Sequence, residues 1–159
     1  MKTLTAKDIM TSEILAVSAE WTIERLAEFF IENSISGAPV ITGEDTLVGV
    51  VSLTDIVRFD TLPVKDFAGE SRPHSYYMHS FEEAYAPEDI GEYHLEAPSR
   101  VKVKDIMTPM IFHVDEDTVL KEIADTMVRG RIHRVFVTKG EKVTGVISAL
   151  DMLKIIREQ

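Results

Sequence analysis

Two stretches of the chain carry the same spacing of apolar and polar positions. Ile23, Leu26, Ala27 and Phe30 fall at i, i+3, i+4 and i+7, with Glu24, Arg25, Glu28 and Glu32 between them. Leu120, Ile123, Ala124 and Met127 repeat that spacing against Lys121, Glu122, Asp125 and Arg129. A single apolar stripe at the helical period predicts two amphipathic helices, each buried along one face. Two short apolar runs follow each helix. They are Ala38-Pro39-Val40-Ile41 then Leu47-Val48-Gly49-Val50-Val51, and Val135-Phe136-Val137 then Val143-Thr144-Gly145-Val146-Ile147. Gly43-Glu44-Asp45 and Lys139-Gly140-Glu141 separate the runs with turn residues, so each pair predicts adjacent strands. A closing helix is expected from near Thr54 and near Leu150, which gives each half the order strand, helix, strand, strand, helix.

The two halves match residue for residue. Lys7-Asp8-Ile9-Met10-Thr11 returns as Lys104-Asp105-Ile106-Met107-Thr108, an offset of 97. Ile14 and Ile111, Val17 and Val114, Ile35 and Ile132, and Val40 and Val137 keep that offset. One extra loop residue in the first copy then changes it to 96, which pairs Gly49, Val50, Ser52 and Asp55 with Gly145, Val146, Ser148 and Asp151. Register held this long marks a duplication, with copies near 7–57 and 104–153. One copy is too small to bury both faces of its own sheet. The expected fold is therefore α/β (α+β): two βαββα repeats, 1–57 and 104–159, stacked about a pseudo-twofold axis with a cleft or pair of clefts between them, and an insert over 58–103.

The doubled Asp-Ile-Met-Thr, the doubled Ile-x-x-x-x-Val strand entry and the doubled Gly-x-x-Ser-x-x-Asp, in this order, resemble a tandem pair of CBS domains, the regulatory unit called a Bateman module. The resemblance covers both copies and not the insert. It implies a non-catalytic sensor that takes an adenine nucleotide (AMP, ADP or ATP), or less readily S-adenosyl methionine, between the repeats. It also implies disc-like pairing of modules, here a homodimer, and regulation of some further protein.

The residues themselves leave each role open. Ser52, Thr54 and Asp55 lie where a strand runs into a helix. A carboxylate there can hold a ribose, with hydroxyls and helix N–H groups near a phosphate, or it can simply cap the helix. Asp151 and Ser148 repeat the arrangement, with Leu150 in place of Thr54. His133-Arg134 stands where the first copy has Ser36-Gly37. Arg134 offers a planar fork suited to phosphate oxygens, or to a surface salt bridge with one of many acidic partners. In one nucleotide-binding member of the family, a His-Arg pair at this position contacts phosphates of a nucleotide whose ribose is held by the other repeat. Carried over, the resemblance groups Ser52, Thr54, Asp55, Ile111, Phe112, His133 and Arg134 in the better cleft. Ile14, Leu15, Ser36, Gly37, Ser148 and Asp151 form a weaker one without positive charge. Ile111-Phe112 and Ile14-Leu15 would flank the base, and serve equally well as core strand residues.

The insert holds all four tyrosines (Tyr76, Tyr77, Tyr85 and Tyr93), three of the five histidines (His74, His79 and His94), and six carboxylates with no Lys or Arg from His79 to Ala97. Ser80-Phe81-Glu82-Glu83 resembles a capping box and predicts a short helix before Pro87. Three readings compete for the segment: a linker packed on the module or a dimer mate, a docking surface, and a divalent-metal site. No histidine pair has the i, i+4 spacing that a helical metal site uses, so no metal is assigned.

Charge and composition narrow the function classes further. With 17 Lys and Arg against 27 Asp and Glu the formal charge is −10, which argues against nucleic-acid binding through a basic face. Cysteine is absent, which excludes thiol chemistry and disulfides. Neither a secretory leader nor an apolar run long enough to span a bilayer is seen, so a cytoplasmic protein is expected. No P-loop or nucleophile elbow appears, and an enzyme is not expected. A ligand-free scaffold acting through the acidic insert is the rival to the sensor.

Overall fold

The computed structural model describes residues 3–61, 75–78, 101–109 and 111–158. The first repeat runs α1 (Ala6–Ile9), β1 (Val17–Ser18), α2 (Ile23–Asn33), β2 (Gly37–Thr42), β3 (Thr46–Ser52) and α3 (Leu53–Thr61). A single turn, α4 (Ser75–Met78), follows. The second repeat runs α5 (Val103–Ile106), β4 (His113–Asp115), α6 (Leu120–Gly130), β5 (Arg134–Lys139), β6 (Lys142–Ser148) and α7 (Ala149–Glu158). The expected βαββα order holds in both halves. The Lys-Asp-Ile-Met-Thr motif adds a one-turn helix ahead of each.

Each half sheet has a parallel and an antiparallel pair. β1 lies parallel to β2, which requires the α2 crossover, and β2 pairs antiparallel with β3. β4, β5 and β6 repeat the pattern. The strand order is β1-β2-β3-β6-β5-β4, joined at the centre by the single antiparallel pair Thr46 and Lys142. Ile23, Leu26 and Phe30 of α2, and Ile123 and Met127 of α6, are buried on their sheets, as the helical stripes predict. Thr22 caps α2 by accepting the Arg25 N–H at 3.2 Å.

The repeats do not merely touch; each completes the other. Ala6, from the opening turn of the first repeat, is fully buried in the core of the second with Val135, Phe136 and Ile147. Val103, its counterpart, is fully buried in the first core with Val17, Leu26 and Val51. The backbone follows suit. Val50 and Thr108 exchange two hydrogen bonds of 2.9 Å, and Thr11 and Val146 exchange two of 2.9 and 3.0 Å. The motif aspartates hold these turns in shape: Asp8 accepts the Thr5 N–H at 2.9 Å, and Asp105 accepts the Lys102 N–H at 2.8 Å. Ion pairs repeat the exchange at the surface. Lys7 meets Asp117 at 2.9 Å, and Glu20 takes Lys102 and Lys104 at 2.7 and 2.9 Å. Hydrogen bonds from those two lysines hold the Glu20 carboxyl down to about 2. All of these groups are solvent-exposed, so they orient more than they stabilise.

Crossed docking sets a demand on one residue per repeat. A Cβ on Gly49 would lie 2.7 Å from the Thr108 carbonyl oxygen and 2.9 Å from Met107 Sδ. One on Gly145 would meet Met10 Sδ, Cγ and Cβ, the last two at 2.8 and 2.9 Å. A thioether can swing aside, but the Met10 Cβ is fixed to its backbone and the Thr108 carbonyl is hydrogen-bonded, so at both positions a methyl group forces the borrowed turn away from the strand. Gly49→Ala and Gly145→Ala are each expected to cost about 1–3 kcal/mol in urea denaturation. No loss at either would show that the close approach does not constrain these positions.

Candidate functional site

α3 and α7 start where β3 and β6 end, and both junctions close in the same way. Ser52 donates its N–H and its hydroxyl to Asp55 Oδ2, at 2.7 and 3.2 Å. Ser148 does the same to Asp151 Oδ2, at 2.9 and 2.7 Å, and its Oγ accepts the Asp151 N–H at 3.2 Å. In both, the aspartate on the first turn reaches back to the residue that precedes the helix. Helix capping, one of the two roles open from sequence, is thus performed by both aspartates. Their surroundings differ. Asp55 is buried. Asp151 takes a third partner, Lys154 Nζ at 3.2 Å on Oδ1. Burial pushes the Asp151 carboxyl up, but the Ser148 donors and Lys154 together outweigh it and hold it below its ordinary value.

The starts of β2 and β5 are tied to the same corners. The Leu53 N–H donates to the Ser36 carbonyl and the Ala149 N–H to the His133 carbonyl, both at 2.8 Å. Ser52 is the register partner of Gly37, and Ser148 the partner of Arg134. Each cap and each of the positions 36–37 and 133–134 therefore belong to one rigid corner.

α4 fills the space between these corners. The Tyr77 side chain is fully buried, with its ring edge-on to Phe112 and to Phe136 at centroid distances of 5.1 and 6.0 Å. Its phenol oxygen accepts the Phe112 N–H at 3.0 Å. Its carbonyl accepts the His133 N–H at 2.8 Å. Tyr76 is also buried and stacks on Phe136 at 5.3 Å and 17°. The Arg134 guanidinium lies over the other side of the corner, 4.8 Å from the Tyr76 ring centroid. From the first repeat, Gly37 closes in: a Cβ there would stand 2.7 Å from Tyr76 Cδ2. Burial raises both tyrosine hydroxyls above their usual value; Arg134 opposes this at Tyr76, and the Phe112 N–H at Tyr77. Both phenols are therefore neutral near pH 7.

The residues expected in the better cleft are placed as follows. Phe112, His133 and Arg134 all meet α4. Ser52 is the register partner of Gly37, which meets α4 from the first repeat, and Asp55 follows on the first turn of α3. Ile111 packs on the second core, and Thr54 is half-buried beside Asp55. Of the weaker set, Gly37 faces the Tyr76 ring that Arg134 covers. Ile14 and Ser36 are half-buried, while Leu15, the counterpart of Phe112, is 45% exposed. The sequence reading missed α4 entirely. Two adjacent tyrosines in the segment that holds all four were the available signal. The helix predicted after Ser80 and the histidines His74, His79 and His94 lie outside the described residues. Among the described residues, no group of three His, Asp or Glu side chains is placed to hold a metal. No described helix is long and apolar enough to cross a membrane.

Comparison with known proteins bears on the whole arrangement. The sequence profile of the CBS domain matches residues 6–61 and again 103–158. An uncharacterised protein of Methanocaldococcus jannaschii is 28% identical over 150 residues, which are 93% of this chain and 88% of that protein. The chain spans less of other relatives, 63% of the chloroplastic CBS domain-containing protein CBSX1 of Arabidopsis thaliana at 26% identity. The crystal structure of CBSX2 in complex with AMP has a TM-score of 0.63 and 22% identity, covering 97% of this chain and 96% of that one. The CBS domain pair of protein MJ0100, crystallised with 5′-methylthioadenosine and S-adenosyl-L-methionine, has a TM-score of 0.60 and 16% identity, covering 99% and 98%.

The two caps supply a prediction that needs no ligand. Replacing Asp151 by Asn should cost about 0.5–2 kcal/mol at neutral pH, the scale of a lost cap. A folded-state carboxyl held below its unfolded value contributes stability above that value and loses it as pH falls through the native one. The gap between wild type and Asp151→Asn in thermal melts should therefore narrow as pH drops below the ordinary carboxyl value of 3.8. A gap that stays constant down to pH 2 would refute the ionic part of the cap.

Proposed function

Because this chain belongs to the CBS-domain family and carries two such domains in tandem, we propose that it is a non-catalytic sensor. Its ligand is an adenine nucleotide, AMP, ADP or ATP, held in the cleft that Phe112, His133 and Arg134 share with Ser52, Thr54 and Asp55. The observation that carries this reading is the use to which the cleft is already put. It seats a planar aromatic ring with a polar edge on a backbone N–H, at Phe112, and holds a guanidinium over an adjoining ring. Adenine asks for the same apolar slot and the same edge donor, and a phosphate asks for the guanidinium. Ile111 flanks the base, the Asp55 carboxylate faces ribose hydroxyls while it caps α3, and His133 adds a donor beside Arg134. AMP in CBSX2 supports the ligand class. The mirror set, Ile14, Leu15, Ser36, Gly37, Ser148 and Asp151, is the weaker site: it has no cation at positions 36–37, and Lys154 already takes Asp151 Oδ1. S-adenosyl methionine, present in the MJ0100 pair, is the less favoured ligand, since a sulfonium gains nothing from Arg134.

The occupied cleft also favours a second reading, a scaffold that binds no small molecule, because α4 takes the donors a ligand would use. Calorimetry with AMP, ADP, ATP, adenosine and S-adenosyl methionine separates the two. Under the sensor reading, Arg134→Ala weakens the three nucleotides by roughly 10- to 100-fold and leaves adenosine little changed, as loss of a charge-assisted phosphate contact requires. Asp55→Ala lowers affinity more than Asp151→Ala. Nucleotides that neither bind nor raise the melting temperature would leave only the scaffold.

Sensing requires a second arrangement to bias, and a homodimer supplies it. Leu150, Leu153 and Ile156 line α7 at 46, 59 and 69% exposure, and Val128 on the adjoining α6 is 77% exposed. Such a strip on the surface of a monomer is costly, and a second copy meeting it face to face removes it from water. The double substitution Leu153→Asp and Ile156→Asp should convert a dimer to a monomer in light scattering. A wild-type protein already monomeric at micromolar concentration would sink this part of the proposal.

A further inference from the structure

We propose that α4 is a tethered occupant of the nucleotide cleft, a built-in competitor that a ligand must expel before it can bind. The inference rests on the nucleotide reading above and adds to it a regulation of the same site. Five contacts define the plug. The Tyr77 hydroxyl takes the Phe112 N–H. The Tyr77 carbonyl takes the His133 N–H. The Tyr76 ring stacks on Phe136 at 17° and has the Arg134 guanidinium 4.8 Å from its centroid. Gly37 on the opposite repeat lies so close to that ring that even a methyl group would collide with it.

These contacts use, in one four-residue turn, the apolar slot, its edge donor and the cation that a nucleotide would need. Ring and base cannot share the slot, because the Tyr77 side chain is fully buried and its hydroxyl sits on the single N–H of Phe112. Occupancy is therefore exclusive, and the chain has two states: plugged, with Tyr76 and Tyr77 in the cleft, and vacated, with a nucleotide there. A ligand that binds only the vacated state has its affinity reduced by the fraction of molecules in that state. The plug thus sets the concentration at which the sensor responds, and it converts binding into release of α4 from the cleft. Gly37 belongs to this device as well. A Cβ there would stand 2.7 Å from the Tyr76 ring, and this accounts for a glycine where the second repeat has Arg134.

The experiment measures AMP and ATP affinity by calorimetry for wild type, Tyr77→Phe, and the double variant Tyr76→Ala with Tyr77→Ala. In parallel it follows amide hydrogen exchange at Phe112 and His133 in the wild-type chain, with and without saturating AMP. The plug predicts at least ~10-fold tighter binding by the double variant. Tyr77→Phe, which keeps the ring and loses only its bond to Phe112, should gain less. It also predicts that AMP removes protection from the His133 N–H, whose acceptor is the Tyr77 carbonyl. Binding by the double variant alone would support the plug in its strongest form. Equal affinities in all three proteins, or a His133 N–H that stays protected with AMP bound, would overturn the plug and leave the nucleotide reading standing. Binding by none of them would overturn both. Should the double variant fail to fold, Tyr77→Phe and the wild-type exchange decide the matter.

Discussion

Crossed docking of the opening turns is the constraint on which the rest of this structure depends. The Val50–Thr108 and Thr11–Val146 backbone pairs each join a strand of one repeat to the motif of the other. Ala6 and Val103 carry the same exchange into the two cores. Neither half closes its own sheet. A unit of this size has too little interior to do so alone, and lending an element to the partner lets both interiors close at once. Gly49 and Gly145 follow from this, since the borrowed turn passes too near the strand for any side chain. The corners where β3 meets α3 and where β5 begins belong to the same frame, and α4 packs against both repeats there.

Within that frame, the corners are built from ordinary capping chemistry. Asp55 and Asp151 reach back to the N–H and hydroxyl of the serine before the helix, which settles the helix start. A group that stabilises the fold and can also meet a ligand need not choose between the roles, because a carboxylate has lone pairs enough for several donors. The symmetry of the caps makes the asymmetry of their neighbours informative. The second corner carries His133 and Arg134 and receives Tyr76 and Tyr77; the first carries Ser36 and Gly37 and yields space to the same rings.

The balance held at α4 is a small one. Burying two tyrosine rings gains roughly a few kcal/mol, and ordering the four residues that carry them returns much of it. What remains is comparable with the binding energy of a small ligand at cellular concentration. The proposed sensor gains from such a balance, because a state too stable to leave would respond to nothing.

Most of the repeat architecture was legible in the chain, since its signals are local and doubled. The helical stripes of α2 and α6, the turns between strands and the Gly-x-x-Ser-x-x-Asp corners depend on neighbours a few residues away, and duplication confirmed each reading with a second copy. The proposed pairing of Asp55 with the Arg134 side of a cleft rests on resemblance, because residues 79 positions apart share no local pattern. Two facts belonged to the tertiary structure alone. That the opening motif folds onto the opposite repeat depends on which core has a vacancy for Ala6 or Val103, and hydrophobic period is the same whichever repeat receives them. That Tyr76 and Tyr77 occupy the cleft depends on a match of ring, guanidinium and backbone N–H drawn from Phe112, His133, Arg134 and Gly37. Sequence sets what each segment can become; only packing decides which surface a short aromatic turn, with no period of its own, will find.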